Sequence, residues 1–243
     1  MRAVLATYLR ELRAYFVSPL AYVVLFFFLV VNGIVFGNLA SILSDPRAPS
    51  GPPMTYFFGS TTLILLILGV VLTMRLVSEE LRSGSIEVLM TAPVTEGQVI
   101  AGKYLAALTF FAALWVPTLV YAAIVDHYSE VDWGPVAAGY LGLLLIGALF
   151  LAIGVFASAT TSSQLVAAMV TAALLFLLFL LGWFSDIFTS ETSRQVFSYL
   201  SLGEHLDELS RGIVDTRRLV FYVSATLFFL FLASRALEDK KWR

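Results

Sequence analysis

The sequence predicts an all-α membrane protein: six transmembrane helices, an amphipathic helix before the first, a cytoplasmic helix between spans two and three, and short outer helices before the sixth. Three observations predict it. Hydrophobic residues make up 59% of the 243 and charged residues 13%, against roughly 45 to 50% and about 25% in soluble domains. At a mean hydropathy of +0.89 the chain has too little polar surface to cover itself in water. Apolar runs long enough to cross about 30 Å of hydrocarbon at about 1.5 Å per residue recur along the whole length.

The first 19 residues are expected to stay in the mature chain, because Arg10, Glu11 and Arg13 interrupt any signal-type apolar stretch. Val4, Leu5, Tyr8, Leu9, Leu12, Tyr15 and Phe16 recur at helical spacing opposite Arg2, Arg10 and Arg13, which predicts a helix lying in the membrane interface before Pro19 turns the chain inward. The spans follow at Leu20 to Leu39, Tyr56 to Val77, Tyr104 to Val125, Pro135 to Ala157, Leu165 to Phe184, and Leu219 to Ala233, together forming a single transmembrane domain over 1–243. The last is short, so its ends must draw on flanking residues such as Arg218 and Arg235. The first outer loop, Ser44 to Pro53, holds four of the eight prolines and reads as an irregular cap. In the outer segment, 185–218, Leu202, Leu206, Leu209 and Ile213 share one helical face, and Glu204, Asp207, Glu208 and Arg211 another.

An even number of spans puts both termini on one side, and basic residues choose which. With the termini cytoplasmic, ten of the fifteen Lys and Arg lie inside, and four of the five outer ones, Arg194, Arg211, Arg217 and Arg218, fall in the last long loop. Trp133 and Trp183 then mark outer ends of spans and Trp242 the inner surface, while Trp115 lies well inside span three.

Composition and motifs exclude several functions. A net charge of −2 argues against nucleic acid as a partner, and a chain without cysteine has no disulfide, thiolate nucleophile or Cys-ligated metal. Gly97 to Lys103 fits the GxxxxGK of a phosphate loop, but Tyr104 stands where Mg²⁺ needs a hydroxyl and no strand precedes it; the plainer reading is a flexed start to span three, with Lys103 snorkelling. His127 and His205 stand among outer carboxylates without a ligand spacing, as solvated surface residues do. The spans hold no acid pair or His for intramembrane proteolysis, and offer an ion-coupled carrier only Asn32, Asn38 and hydroxyls, apart from Arg75 near an inner end. Gly33 and Gly37 form a GxxxG on span one, and Gly139, Gly142, Gly147 and Gly154 punctuate span four; each suits close helix packing within a subunit or between two.

The cytoplasmic segment, 78–98, carries most information. From Val77 to Leu89 the pattern is helical, with Val77, Leu81, Ser85 and Val88 on one stripe and Glu80, Gly84 and Glu87 on the next. Glycine costs about 1 kcal/mol relative to alanine in a helix, so Gly84 between two carboxylates suits a surface approached closely by another backbone; a solvated connector is the alternative. Pro93 ends the helix.

The run Arg75-Leu-Val-Ser-Glu-Glu80-Leu-Arg-Ser-Gly84-Ser-Ile-Glu87-Val-Leu-Met-Thr-Ala-Pro93-Val, followed by Gly102-Lys103, resembles the cytoplasmic signature of ABC-2 type permeases, the membrane subunits of one class of ATP-binding cassette transporters. Tyr15 to Tyr22 and Gly212 to Arg217 resemble the branch serving gliding motility and nitrous-oxide reductase maturation, and Ser85 stands where members usually carry Thr. The resemblance implies a non-catalytic permease in a bacterial cytoplasmic (inner) membrane, forming the translocation path as a homodimer or with a close paralogue. Two ABC ATPase subunits would bind ATP and Mg²⁺ beneath it, with no cofactor or metal on this chain, membrane lipids around it, and room for an auxiliary subunit at the outer face. Coupling falls to Glu79, Glu80, Arg82, Gly84, Glu87, Leu89 and Pro93, and dimer packing to Gly33 and Gly37. A membrane scaffold anchoring cytoplasmic partners and a secondary carrier are the alternatives.

Overall fold

The structure, a computed structural model, describes residues 2–44, 52–84, 94–129, 131–187 and 200–241. Every regular element among them is helical. Helix α1 (Arg2–Val17) ends where Ser18 caps α2 (Pro19–Leu43), the Ser18 hydroxyl accepting from the Leu20 amide with Pro19 in the first helical turn. Helix α3 (Thr55–Ser60) is separated from α4 (Thr62–Thr73) at Thr61, whose hydroxyl turns back onto the Phe58 carbonyl, and the second membrane-crossing stretch starts with α4, at Thr62 instead of Tyr56. A turn leads into α5 (Ser78–Ser83). A capping box between Thr95 and Gln98 starts α6 (Glu96–Trp115). Pro117 imposes a 3₁₀ turn at Val116–Thr118 before α7 (Leu119–Tyr128), because a proline ring lacks the amide a continuous helix needs. The remaining helices are α8 (Trp133–Thr160), α9 (Gln164–Ile187), α10 (Leu202–Ser210) and α11 (Thr216–Lys241).

Among the described residues, six helices or helix pairs are long and apolar enough to cross a membrane, and they correspond to the six expected spans. The short sixth run resolves itself by extension, since α11 continues in both directions beyond Leu219 and Ala233. Lipid is the solvent that suits the outer faces: Phe26, Phe27 and Ile34 of α2 and Phe228 and Phe231 of α11 are all more than half exposed.

Helix α8 is the centre of the bundle, with 72% of its most apolar stretch buried against 11% for α11. Its glycines explain how neighbours come so close. A Cβ on Gly154 would lie 1.9 Å from Thr73 Oγ1, on Gly147 2.2 Å from the Phe111 ring, and on Gly139 2.2 Å from the Phe58 ring, while Gly142 seats Leu206 and Leu209. All four therefore serve packing within the chain.

Several expectations are corrected. Helix α1 packs along α6, through Thr7 on Gly102, Tyr8 on Thr109 and Tyr15 stacked on Phe110, which leaves its exposed Leu5, Leu9, Phe16 and Val17 side chains for lipid. The helix read over Val77–Leu89 breaks at Gly84, whose φ of +70° is the left-handed conformation that glycine supplies at a helix end. Ile213 does not share the leucine face, since α10 ends before it and Gly212, at φ +84°, turns the chain away. His205 is a core residue, its Nδ1 2.9 Å from the Tyr222 hydroxyl, because the leucine face of α10 that carries it is pressed onto α8. His127 is exposed. Ser85, Glu87, Leu89 and Pro93, most of the first outer loop, and residues 188–199 lie outside the described residues, as does Trp242.

Candidate functional site

The site begins where α4 stops. Ser158 on α8 accepts hydrogen bonds from the Val77 and Ser78 amides at 3.1 and 3.0 Å, and the Ser78 hydroxyl donates to the Met74 carbonyl. Amides at a helix start have no partner within the helix, so a buried hydroxyl that takes two of them fixes α5 to the end of α8.

From this seat α5 points its charges two ways. Glu79 turns outward into a two-pronged pair with Arg75, at 2.9 and 3.1 Å, both side chains being nearly half exposed. Arg82 is exposed as well. Glu80 turns inward, where its Oε1 accepts from Lys103 Nζ at 3.0 Å and from the Arg10 guanidinium at 2.8 Å. Lys103 also donates to Glu11 Oε1 at 3.0 Å, and Arg10 to the same oxygen at 2.7 Å. Two acids and two bases from α1, α5 and α6 thus form one neutral cluster around an ammonium whose side chain is 1% exposed. For Arg10, burial works against the charge, but the hydrogen bond to Glu11 and the charges of Glu11 and Glu80 outweigh it and hold the guanidinium pKa above its ordinary value.

The neighbour of Lys103 makes the cluster possible. A Cβ on Gly102 would lie 2.8 Å from Thr7 Cβ and 3.0 Å from the Val4 carbonyl, so only glycine lets α1 approach closely enough for Glu11 to reach the ammonium. The GxxxxGK run is thereby accounted for as helix packing, and Lys103 does not snorkel: it is buried because its partners are. Tyr15 completes the junction, its hydroxyl donating to the Leu72 carbonyl at 2.7 Å, an acceptor left over where α4 ends. Burial pushes that phenol well above its ordinary range, so it stays a donor.

The expected coupling residues are therefore divided. Glu79 and Arg82 face out, Glu80 is engaged inside, and Gly84 has nothing among the described residues within 4 Å of a built Cβ, so what requires it there is the left-handed turn. Glu87, Leu89 and Pro93 follow outside the described residues. Of the span-one glycines, Gly33 lies under the Tyr121 hydroxyl at 3.6 Å, and Gly37 is exposed with nothing within 4 Å. Reading the sequence missed Arg10, Glu11 and Ser158; the only available signal for the first two was a pair of opposite charges on an otherwise apolar-faced helix. Asn32 and Trp115, deep in the spans, are buried, and their Oδ1 and Nε1 atoms have no hydrogen-bond partner among the described residues.

Residues 48–203, from the end of the first outer loop through the start of α10, match the family described as ABC-2 family transporter protein. The chain belongs to that family. It is a membrane-spanning permease subunit of an ABC transporter, and the family implies ATPase partner subunits. The matched stretch contains Glu80, Lys103 and Ser158, whereas Arg10 and Glu11 of this permease lie before it. No curated protein matches the chain at significant similarity.

Proposed function

We propose that this permease forms the translocation path as a dimer in a bacterial inner membrane, with both termini cytoplasmic, and that two separate ATPase subunits carrying ATP and Mg²⁺ dock on the segment that starts at α5. In this reading the chain itself is non-catalytic and belongs to the branch resembling gliding-motility and nitrous-oxide reductase maturation permeases. Glu79, Arg82 and the residues beyond Gly84, including Glu87, Leu89 and Pro93, meet the ATPase, while Gly37, and Gly33 beside it, face the second permease.

The observation that carries the reading is the attachment of α5. A solvated connector needs no anchorage, yet this six-residue helix is fixed to α8 through Ser158 and to α1 and α6 through Glu80 and Lys103, while its Glu79 and Arg82 edge stays open. A push on that edge is passed to three other helices. The cysteine-free chain gives a direct test. Ser83→Cys should crosslink to the co-expressed ATPase in a nucleotide-dependent way and resist impermeant thiol reagents in intact cells, whereas His127→Cys should be labelled from outside. Labelling of Ser83→Cys in sealed cells, or its failure to reach any ATPase, overturns the assignment.

A further inference from the structure

Helix α1 has an edge that nothing among the described residues covers. Leu5, Leu9, Phe16 and Val17 are exposed on it, and the helix runs through Ser18 directly into span one, so these side chains belong in hydrocarbon. At about 100° per residue, Leu5, Leu9 and Phe16 fall within roughly 40° of one another, Arg13 follows about 40° beyond Leu9, and Arg10 about 60° beyond Arg13, with Val17 between the two arginines. The apolar edge thus passes into a basic one without a break.

The charges on that edge do not balance. Arg10 and Lys103 already match Glu11 and Glu80, whereas Arg13 is exposed and has no carboxylate partner among the described residues, so α1 and its ion partners carry one net positive charge. Arg10 gives only Nη2 to the two acids, and its side chain is half exposed, which leaves its Nε and Nη1 donors open. Three residues apart on a helix, Arg10 and Arg13 are neighbours whose like charges repel unless an anion joins them. An excess cation set among Leu9, Phe16 and Val17 needs an anion that comes with the membrane. A phosphate meets that need, because its oxygens match the fork of a guanidinium. Choline and ethanolamine headgroups bring a cation of their own to the two arginines; a glycerol headgroup leaves the phosphate charge uncompensated.

We propose that the exposed edge of α1 binds an anionic phospholipid, its phosphate between Arg13 and the open side of Arg10 and its acyl chains along Leu9, Phe16 and Val17. The proposal rests on the membrane placement of the bundle and needs neither the ATPase assignment nor the orientation of the termini. The test uses the purified full-length chain without ATPase, in non-ionic detergent, titrated with phosphatidylglycerol, phosphatidylcholine or phosphatidylethanolamine of identical acyl chains, binding being read by native mass spectrometry. Phosphatidylglycerol should bind about tenfold more tightly than the other two, the discrimination expected of one charge-assisted hydrogen bond. Arg13→Gln, outside the ion cluster, should melt with wild type in lipid-free detergent and bind the three lipids alike. Arg13→Lys, which keeps the charge and loses the fork, should retain part of the preference. Arg211→Gln removes the same charge from an exposed position on α10 and should leave the preference intact. Equal binding of the three lipids by wild type, an unchanged preference in Arg13→Gln, or its loss in Arg211→Gln overturns the proposal. So does displacement of phosphatidylglycerol by glycerol 3-phosphate, which would make this a site for a soluble anion. Failure of an ATPase to co-purify would leave the lipid result standing.

Discussion

Replacing Lys103 by Met keeps the length and apolar stem of the side chain and removes only the ammonium. The structure sets the magnitude. Lys103 is 1% exposed and holds Glu11 and Glu80, themselves 15% and 19% exposed, at 3.0 Å each. Removing one partner of a buried ion pair costs about 3–5 kcal/mol, because the remaining charges stay where water cannot reach them. Arg10 still contacts both carboxylates and is half exposed, so the low end applies, about 3 kcal/mol. For a chain of this length each kcal/mol moves the melting temperature by about 2–4 °C, giving a fall of roughly 6–12 °C in detergent. The decisive comparison is non-additivity. Glu80→Gln alone should also destabilise, whereas adding it to Lys103→Met should recover much of the loss, since a neutral pair leaves less uncompensated charge. If Lys103→Met melts within 1 °C of wild type, or if the two losses simply add, the cluster is a solvated surface arrangement and the rigid α1–α5–α6 junction does not exist.

Gly154→Leu should prevent stable assembly, given a Cβ 1.9 Å from Thr73 Oγ1 and 2.6 Å from its Cβ, where overpacking costs about 1–3 kcal/mol or more; Gly37→Ala, in open space, should change monomer stability by less than about 0.5 kcal/mol, both read by melting in detergent. Gly84→Ala meets no atom but must adopt φ +70°, a cost of roughly 1 kcal/mol that should shift α5 more than it shifts the bundle; cargo-stimulated ATPase activity should fall while the melting temperature holds, and Gly84→Asn, which tolerates that conformation better, should recover part of it. Ser158→Ala removes only the hydroxyl and strands the Val77 and Ser78 amides, so hydrogen exchange at those two amides should accelerate strongly; unchanged exchange would show that Ser158 does not hold α5.

The six spans were legible because hydropathy over twenty residues needs no knowledge of neighbours, and the structure moves their boundaries without removing one. The leucine face of α10 was legible for the same reason, as one local periodicity. What escaped was partnership. Lys103 next to glycine reads as a snorkelling base because a sequence shows its stem and not the α1 backbone that Gly102 admits. His205 among three acids reads as solvated until Tyr222, seventeen residues on and in the next helix, supplies a buried hydroxyl. Gly84 was correctly singled out as unusual for a helix interior, but two structures satisfy that observation, a close neighbour or a helix end, and only the backbone angle separates them.

Two attachments are built on α8, one polar and one apolar, and this bears on how movement at one could be felt at the other. Ser158 holds α5 near one end of α8, and Gly142 seats Leu206 and Leu209 of α10 near the other, sixteen residues and about 24 Å away. Between them Gly147 and Gly154 admit the Phe111 ring and Thr73 so closely that α8 cannot slide past α4 or α6 without collision. Close-packed contacts of this kind transmit displacement instead of absorbing it. The bundle core is therefore stiff along its long axis, and the helices with the broadest exposed faces around it are α11, 11% buried over its most apolar stretch, and α2 and the described part of α9, each 17% buried. If α2, which carries Gly37, meets the second permease, the dimer seam is where this architecture gives way, while the charge cluster and the glycine contacts hold each subunit to a single shape.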